Sequence, residues 1–137
     1  MNTALSEAKI IEVPYEYVQR HSALAAREGV CVKPTARRTI WFRSFAHEGF
    51  CGLIEFAPKK WRIKGVFVQR EFRGEGLGGQ MTDALIKYAV EILKADSLEV
   101  IALNASFYEA RGFTKATEIR PGSWRLTLAL KPEPAPV

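Results

Sequence analysis

Hydrophobic positions along the chain follow two rhythms, and the switches between them divide it into elements. Residues 9–13 are a short β-prone run ended by Pro14. After it Tyr17, Val18, His21, Leu24 and Ala25 keep helical spacing, which predicts one helix over residues 15–28 stopped by Gly29. Residues 30–36, interrupted by Pro34, read as a loop. Residues 38–45 and 50–56 are dense in β-branched and aromatic side chains and flank the polar turn 46–49, so they predict a hairpin. The turn Ala57-Pro58-Lys59-Lys60 leads into a third strand, 61–68, whose last residues Val66, Phe67 and Val68 are apolar on both faces. That places it at the centre of the sheet.

From residue 77 the rhythm changes: Leu77, Met81, Ala84, Leu85, Tyr88 and Ile92 mark an amphipathic helix over 77–94, about 27 Å long. Residues 97–103 read as a buried strand and 105–111 as a short helix stopped by Gly112. Two last strands, 113–119 and 124–130, are joined at Pro121-Gly122. The tail 131–137, with Pro132, Pro134 and Pro136, reads as disordered. With no internal repeat and no linker, residues 1–130 are expected to form one domain. Its class is α/β, a mixed sheet with helices on its faces.

A chain of 137 residues with 47% hydrophobic and 26% charged content supports one globular core. The sequence holds neither an apolar run of the roughly 18 residues a membrane span needs nor an N-terminal export signal, so a cytoplasmic protein without membrane contact is expected. Cys31 and Cys51 lack CxxC spacing, and His21 and His47 lack neighbours at ligand spacing, so no metal site and no disulfide framework are indicated. The net charge of +5 is uneven: residues 33–73 hold ten Lys/Arg against three Glu, a balance of +7, and the remainder stands at −2. Such a half suits the phosphates of a nucleotide cofactor, the backbone of a nucleic acid, or simply solvent.

Within that half, a strand runs into Arg73-Gly74-Glu75-Gly76-Leu77-Gly78-Gly79 and then into the long helix. Backbone N–H groups and the positive end of a helix dipole would converge there on one concavity, an anion site. Glycines allow the close approach, and Arg73 can add charge-assisted hydrogen bonds. The loop lacks the Gly-Lys-Ser/Thr ending of a P-loop, and the antiparallel meander before it does not fit a dinucleotide-binding unit.

Val66-Phe67-Val68 followed by Arg73, Gly76 and Gly78 resembles the cofactor motif of the GNAT acyltransferase superfamily, and Asn104-Ala105-Ser106-Phe107-Tyr108-Glu109-Ala110-Arg111-Gly112-Phe113 resembles its second motif. The element order matches over about residues 8–130. The resemblance implies a three-layer fold with a splayed central sheet and acetyl-CoA, or another acyl-CoA, as cofactor. Backbone groups of Val66, Phe67 and Val68 would bond the pantetheine arm, the amides from Arg73 to Gly79 would hold the pyrophosphate, and Asn104 would close the following strand beside the cofactor. It also implies direct acyl transfer to an amine in a ternary complex, with Tyr108 protonating the departing thiolate. Some relatives place a glutamate on the strand corresponding to 61–68, but here that strand carries Arg62 and Lys64 and no acid. Glu55 on the preceding strand is the candidate base, with a water chain as the other route. The acceptor would be a small molecule, peptide or protein, met by a monomer or a homodimer. The alternative is a nucleic-acid-modifying or nucleic-acid-binding member of the same fold. It rests on Trp41, Phe42, Trp61 and Phe67 interleaved with Arg37, Arg38, Arg43, Lys59, Lys60 and Arg62.

Overall fold

The structure, a computed structural model, describes residues 10–130; Lys9 and the expected disordered tail 131–137 lie outside the described residues. Its strands are β1 (Ile10–Val13), β2 (Thr39–Ser44), β3 (Gly49–Ala57), β4 (Lys60–Val68), β5 (Ser97–Ala102), β6 (Thr114–Arg120) and β7 (Ser123–Ala129). Its helices are α1 (Tyr15–Gln19), α2 (Ser22–Arg27), α3 (Leu77–Glu91) and α4 (Ala105–Glu109), with a 3-10 turn at Arg70–Phe72. The strands form a seven-stranded sheet in the order β1-β2-β3-β4-β5-β7-β6, so the strand expected at the centre is there.

Two packed faces make the three layers. Alternation along the strands sends Ile40, Phe42, Cys51, Leu53, Trp61, Ile63, Leu98, Val100 and Leu126 to one face, where Met81, Leu85 and Ala89 of α3 cover them. Trp41, Phe50 and Phe67 point to the other face, onto Val18 of α1, Ala25 of α2 and Val32. The single helix expected over 15–28 is broken at Arg20–His21. The corner allows both fully buried residues, Val18 and Ala25, to reach the same aromatic cluster. It leaves the His21 ring 6.0 Å from Phe50. α3 is shorter than expected because its last turn widens, Leu93 N–H reaching Tyr88 O at 3.1 Å and Ala95 N–H reaching Ala89 O at 2.9 Å, around Lys94 at φ +53°. No glycine marks that stop, so the sequence hides it.

The feature that positions the site is a fork in the middle of the sheet. β4 and β5 run parallel and share three rungs, Lys60↔Ser97, Trp61↔Leu98 and Arg62↔Glu99, after which they separate. The cause lies on the other edge of β4. Between the rungs Phe50↔Phe67 and Gly52↔Lys64, Gly65 and Val66 stand opposite Cys51 alone. This is a β-bulge, and a bulge bends its strand. Gly65 takes φ +66°, in the left-handed region that favours glycine. Among the described residues no helix is long and apolar enough to cross a membrane.

Candidate functional site

β4 forms one wall of the fork. Gln69 N–H still donates to Glu48 O (2.9 Å), so the antiparallel ladder with β3 continues past Phe67. Backbone groups in such a ladder alternate sides, which turns those of Val66 and Val68 into the gap and those of Phe67 towards β3. The Phe67 ring is in the core, stacked on Phe50 with centroids 5.2 Å apart. Of the three residues expected to line the gap, the fold presents the backbone of two.

Below the gap lies the glycine loop. Gly74 (φ +83°) and Gly76 (φ +79°) turn the chain into α3, whose N-cap is Gly76 without any side-chain cap bond. The Gln80 N–H reaches Gly76 O at 3.0 Å, which leaves the amides of Leu77, Gly78 and Gly79 without a helical partner. A Cβ on Gly74 or Gly76 would meet no atom within 4 Å, and one on Gly78 would meet only Val68 Cγ2, at 3.9 Å. The loop is therefore an open cradle floored by N–H groups and the positive end of a fifteen-residue helix, and these residues fit a pyrophosphate. Glu75 is exposed at its lip, while Leu77 packs on the core.

Arg73, expected to face the anion, is engaged elsewhere. Its Nε donates to Val68 O (2.8 Å), its guanidinium pairs with Glu28 at the end of α2, and it lies 5.8 Å over the Phe67 ring. The hydrogen bond from Arg73 holds the Glu28 carboxyl below its ordinary range. Arg73 thus fastens the loop to the end of β4 and to α2. The guanidinium that lies on the first turn of α3 belongs to Arg111, which a Cβ on Gly79 would strike. Arg111 Nε donates to Asp83 Oδ1 (3.0 Å), Nη1 to Phe107 O (3.0 Å), and the group stacks 4.1 Å over Phe107. In the sequence Arg111 is marked only by its place directly before Gly112-Phe113.

The other wall is β5 and the short α4. Asn104 caps α4, its Oδ1 accepting from Ser106 Oγ (2.9 Å) and Phe107 N–H (3.4 Å). Tyr108 is held edge-on between Phe107 and Phe113, at 4.9 and 5.6 Å. Burial pushes its phenol above the ordinary range; Arg111 pulls it the other way and Cys51 adds to the rise. Burial thus favours the neutral phenol, as it does the thiol of Cys51, which it pushes far up.

Glu55 is not brought to this place. It pairs with Trp61 at the closed end of the fork, four residues along β3 from Cys51, about 13 Å at the rise of a strand. The aromatic support for a nucleic-acid surface is also lost. Trp41, Phe42, Trp61 and Phe67 are 4%, 1%, 1% and 3% exposed, core residues that cannot stack on bases. The two histidines, isolated in sequence, flank Tyr17, whose hydroxyl is 2.9 Å from His47 Nδ1 and whose ring is 5.5 Å from that of His21.

Similarity to known proteins agrees with this geometry. The sequence profile of the acetyltransferase (GNAT) domain matches residues 40–115, a span that contains both motifs. No curated protein sequence matches significantly. Among solved structures, the chain superposes on Rv2747 from Mycobacterium tuberculosis in complex with CoA at a TM-score of 0.71, with 14% identity over 89% of this chain and 99% of that one. It superposes on the IAA acetyltransferase of Bacillus cereus at 0.69, with 18% identity over 88% and 98%. A mutant form of the spermidine N-acetyltransferase of Vibrio cholerae gives 0.69, with 11% identity over 88% and 92%. A profile spanning more than half of the sequence, on a sheet forked beside a glycine cradle, decides the matter: the chain belongs to the GNAT family of acetyltransferases, which draw on acetyl-CoA.

Proposed function

We propose that the protein is an N-acetyltransferase that passes the acetyl group of acetyl-CoA directly to a primary amine bound in the same complex. The observation that carries this reading is that β4 and β5 part after Arg62↔Glu99 and that the freed end of β4 leads directly into the open glycine cradle, so one extended, phosphate-ended molecule would lie along both. Acetyl-CoA, when bound, supplies a thioester carbonyl to the amine and a thiolate leaving group. The amides of Leu77, Gly78 and Gly79 would hold its phosphates, Arg111 adding charge beside them. The backbone groups of Val66 and Val68 would bond its amides as an added strand would. Tyr108, neutral through burial, would give its proton to the departing sulfur. Glu55 is too far along β3 to take the ammonium proton in contact, so that proton would leave through water, with Glu55 at the far end of the chain.

The test begins with cofactor binding. Acetyl-CoA should raise the melting temperature, since a ligand at a hundredfold excess over its Kd stabilises the native state by about 2.7 kcal/mol. Gly78→Leu is the diagnostic variant. Gly78 has no left-handed φ and its side would have room, so the fold tolerates the new chain while the cradle is filled. A shift that persists in Gly78→Leu would mean that the loop is merely a turn.

A further inference from the structure

We infer that the acceptor amine belongs to a molecule that also carries an anionic group, a carboxylate or a phosphate, held at the apex of the fork by Arg62 and Arg125. The inference rests on the N-acetyltransferase reading and narrows its acceptor. α3 and α4 pack on one face of the sheet, while α1 and α2 on the other lie over Trp41, Phe50 and Phe67 of β2–β4 and leave β5 and β7 outside their cluster, so the amine comes to the gap from that second face. On that other face the last shared rung, Arg62↔Glu99, carries a triad. Arg62 Nε lies 2.9 Å and Arg125 Nε 3.6 Å from the same carboxylate oxygen of Glu99.

Three facts make this a binding device as well as a brace. Glu99 is buried, its side chain 9% exposed, whereas the arginines are 35% and 41% exposed, so the charge that faces the solvent is positive. Both arginines turn their Nε edges to Glu99, and among the described residues the Nε of Arg125 is buried without a hydrogen bond. The Arg62 guanidinium is also oriented in advance, 5.3 Å over the Phe56 ring. One carboxylate against two guanidiniums leaves a surplus cation, and Lys64, next on the same face, adds another with its Nζ on Lys33 O at 3.0 Å. An oxyanion received by the two outward forks would complete the triad. Arg62 precedes Val66 by four residues, about 13 Å along the strand, a span that the arginine side chain shortens. An anionic group a few bonds from the amine therefore fits, and a polyamine does not.

The test measures thiol release from acetyl-CoA with matched acceptors: lysine against cadaverine, which lacks only the carboxylate, phosphoethanolamine against ethanolamine, and a short single-stranded DNA. At least one acid-bearing acceptor should exceed its uncharged or cationic partner about tenfold in kcat/KM, and which one identifies the anion as carboxylate, free phosphate or nucleic acid. Arg62→Gln and Arg125→Gln should each collapse that ratio through KM, and Arg62→Lys should restore part of it. Melting curves with acetyl-CoA show separately that each variant is folded and still takes the cofactor. A preference for cadaverine, or ratios unmoved in both glutamine variants, would overturn the inference. So would the failure of CoA-saturated protein to bind N-acetyllysine or N-acetylphosphoethanolamine by calorimetry, should no acceptor turn over. Failure to bind acetyl-CoA at all would instead bring down the reading on which it rests.

Discussion

At the scale of single residues, the proposed chemistry is tested at Tyr108. Removing only its hydroxyl, as in Tyr108→Phe, should lower kcat roughly 100-fold while cofactor affinity stays nearly the same, because the ring contacts with Phe107 and Phe113 survive. The pH dependence follows from the direction of its shift. A phenol raised above its ordinary value of about 10 remains a donor throughout the neutral and mildly alkaline range, so its ionisation cannot remove activity until still higher pH. A pH–kcat profile with an alkaline fall centred near pH 8 that disappears in Tyr108→Phe would contradict this. The short helix that carries the tyrosine was legible in sequence because its motif is local, with Asn104, Tyr108 and Gly112-Phe113 within ten residues. Arg111, Glu28 and the Arg62–Glu99–Arg125 triad were not. Their partners lie 28, 45, 37 and 26 residues away, and only the folded sheet brings them together.

The elements themselves were largely written in the pattern of the sequence. Strand alternation and the apolar stripe of α3 depend on local side-chain spacing, so β2, β3, β4 and α3 were readable to within a few residues. What escaped was backbone geometry without a sequence marker: the corner between α1 and α2, the left-handed Lys94, and the bulge at Gly65 that opens the fork. The bulge can be tested. A Cβ on Gly65 would add the strain of the left-handed region, about 1–2 kcal/mol, and would press on Trp41 at 3.2 Å and Val32 at 3.4 Å. Gly65→Ala should therefore lower the melting temperature and, by reshaping the end of β4, weaken acetyl-CoA binding beyond what the stability loss explains. If the variant loses stability yet binds the cofactor with unchanged Kd, the bulge does not set the gap.

For the molecule as a whole, the question is where its positive charge points. Arg37, Arg38, Lys59 and Lys60 are exposed at the start of β2 and the β3–β4 turn. The glycine loop follows the opposite end of β4, about 27 Å away along the strand. They cannot serve the cofactor, and with the neighbouring aromatics buried they offer a nucleic acid charge without a stacking surface. Charge alone gives binding whose logarithm falls with the logarithm of salt in proportion to the phosphates contacted, with no sequence preference. Titration with duplex and single-stranded DNA across salt should therefore show association that fades to that of any basic protein at physiological ionic strength. Reversal of charge in Arg37→Glu with Arg38→Glu should remove this residue of binding and leave the acetyl-CoA melting shift in place. Tight binding that persists at physiological salt, with a steep slope abolished by the double variant, would instead make this end of the sheet a nucleic-acid surface. The small-amine reading of the acceptor would then yield to acetyl transfer onto a base.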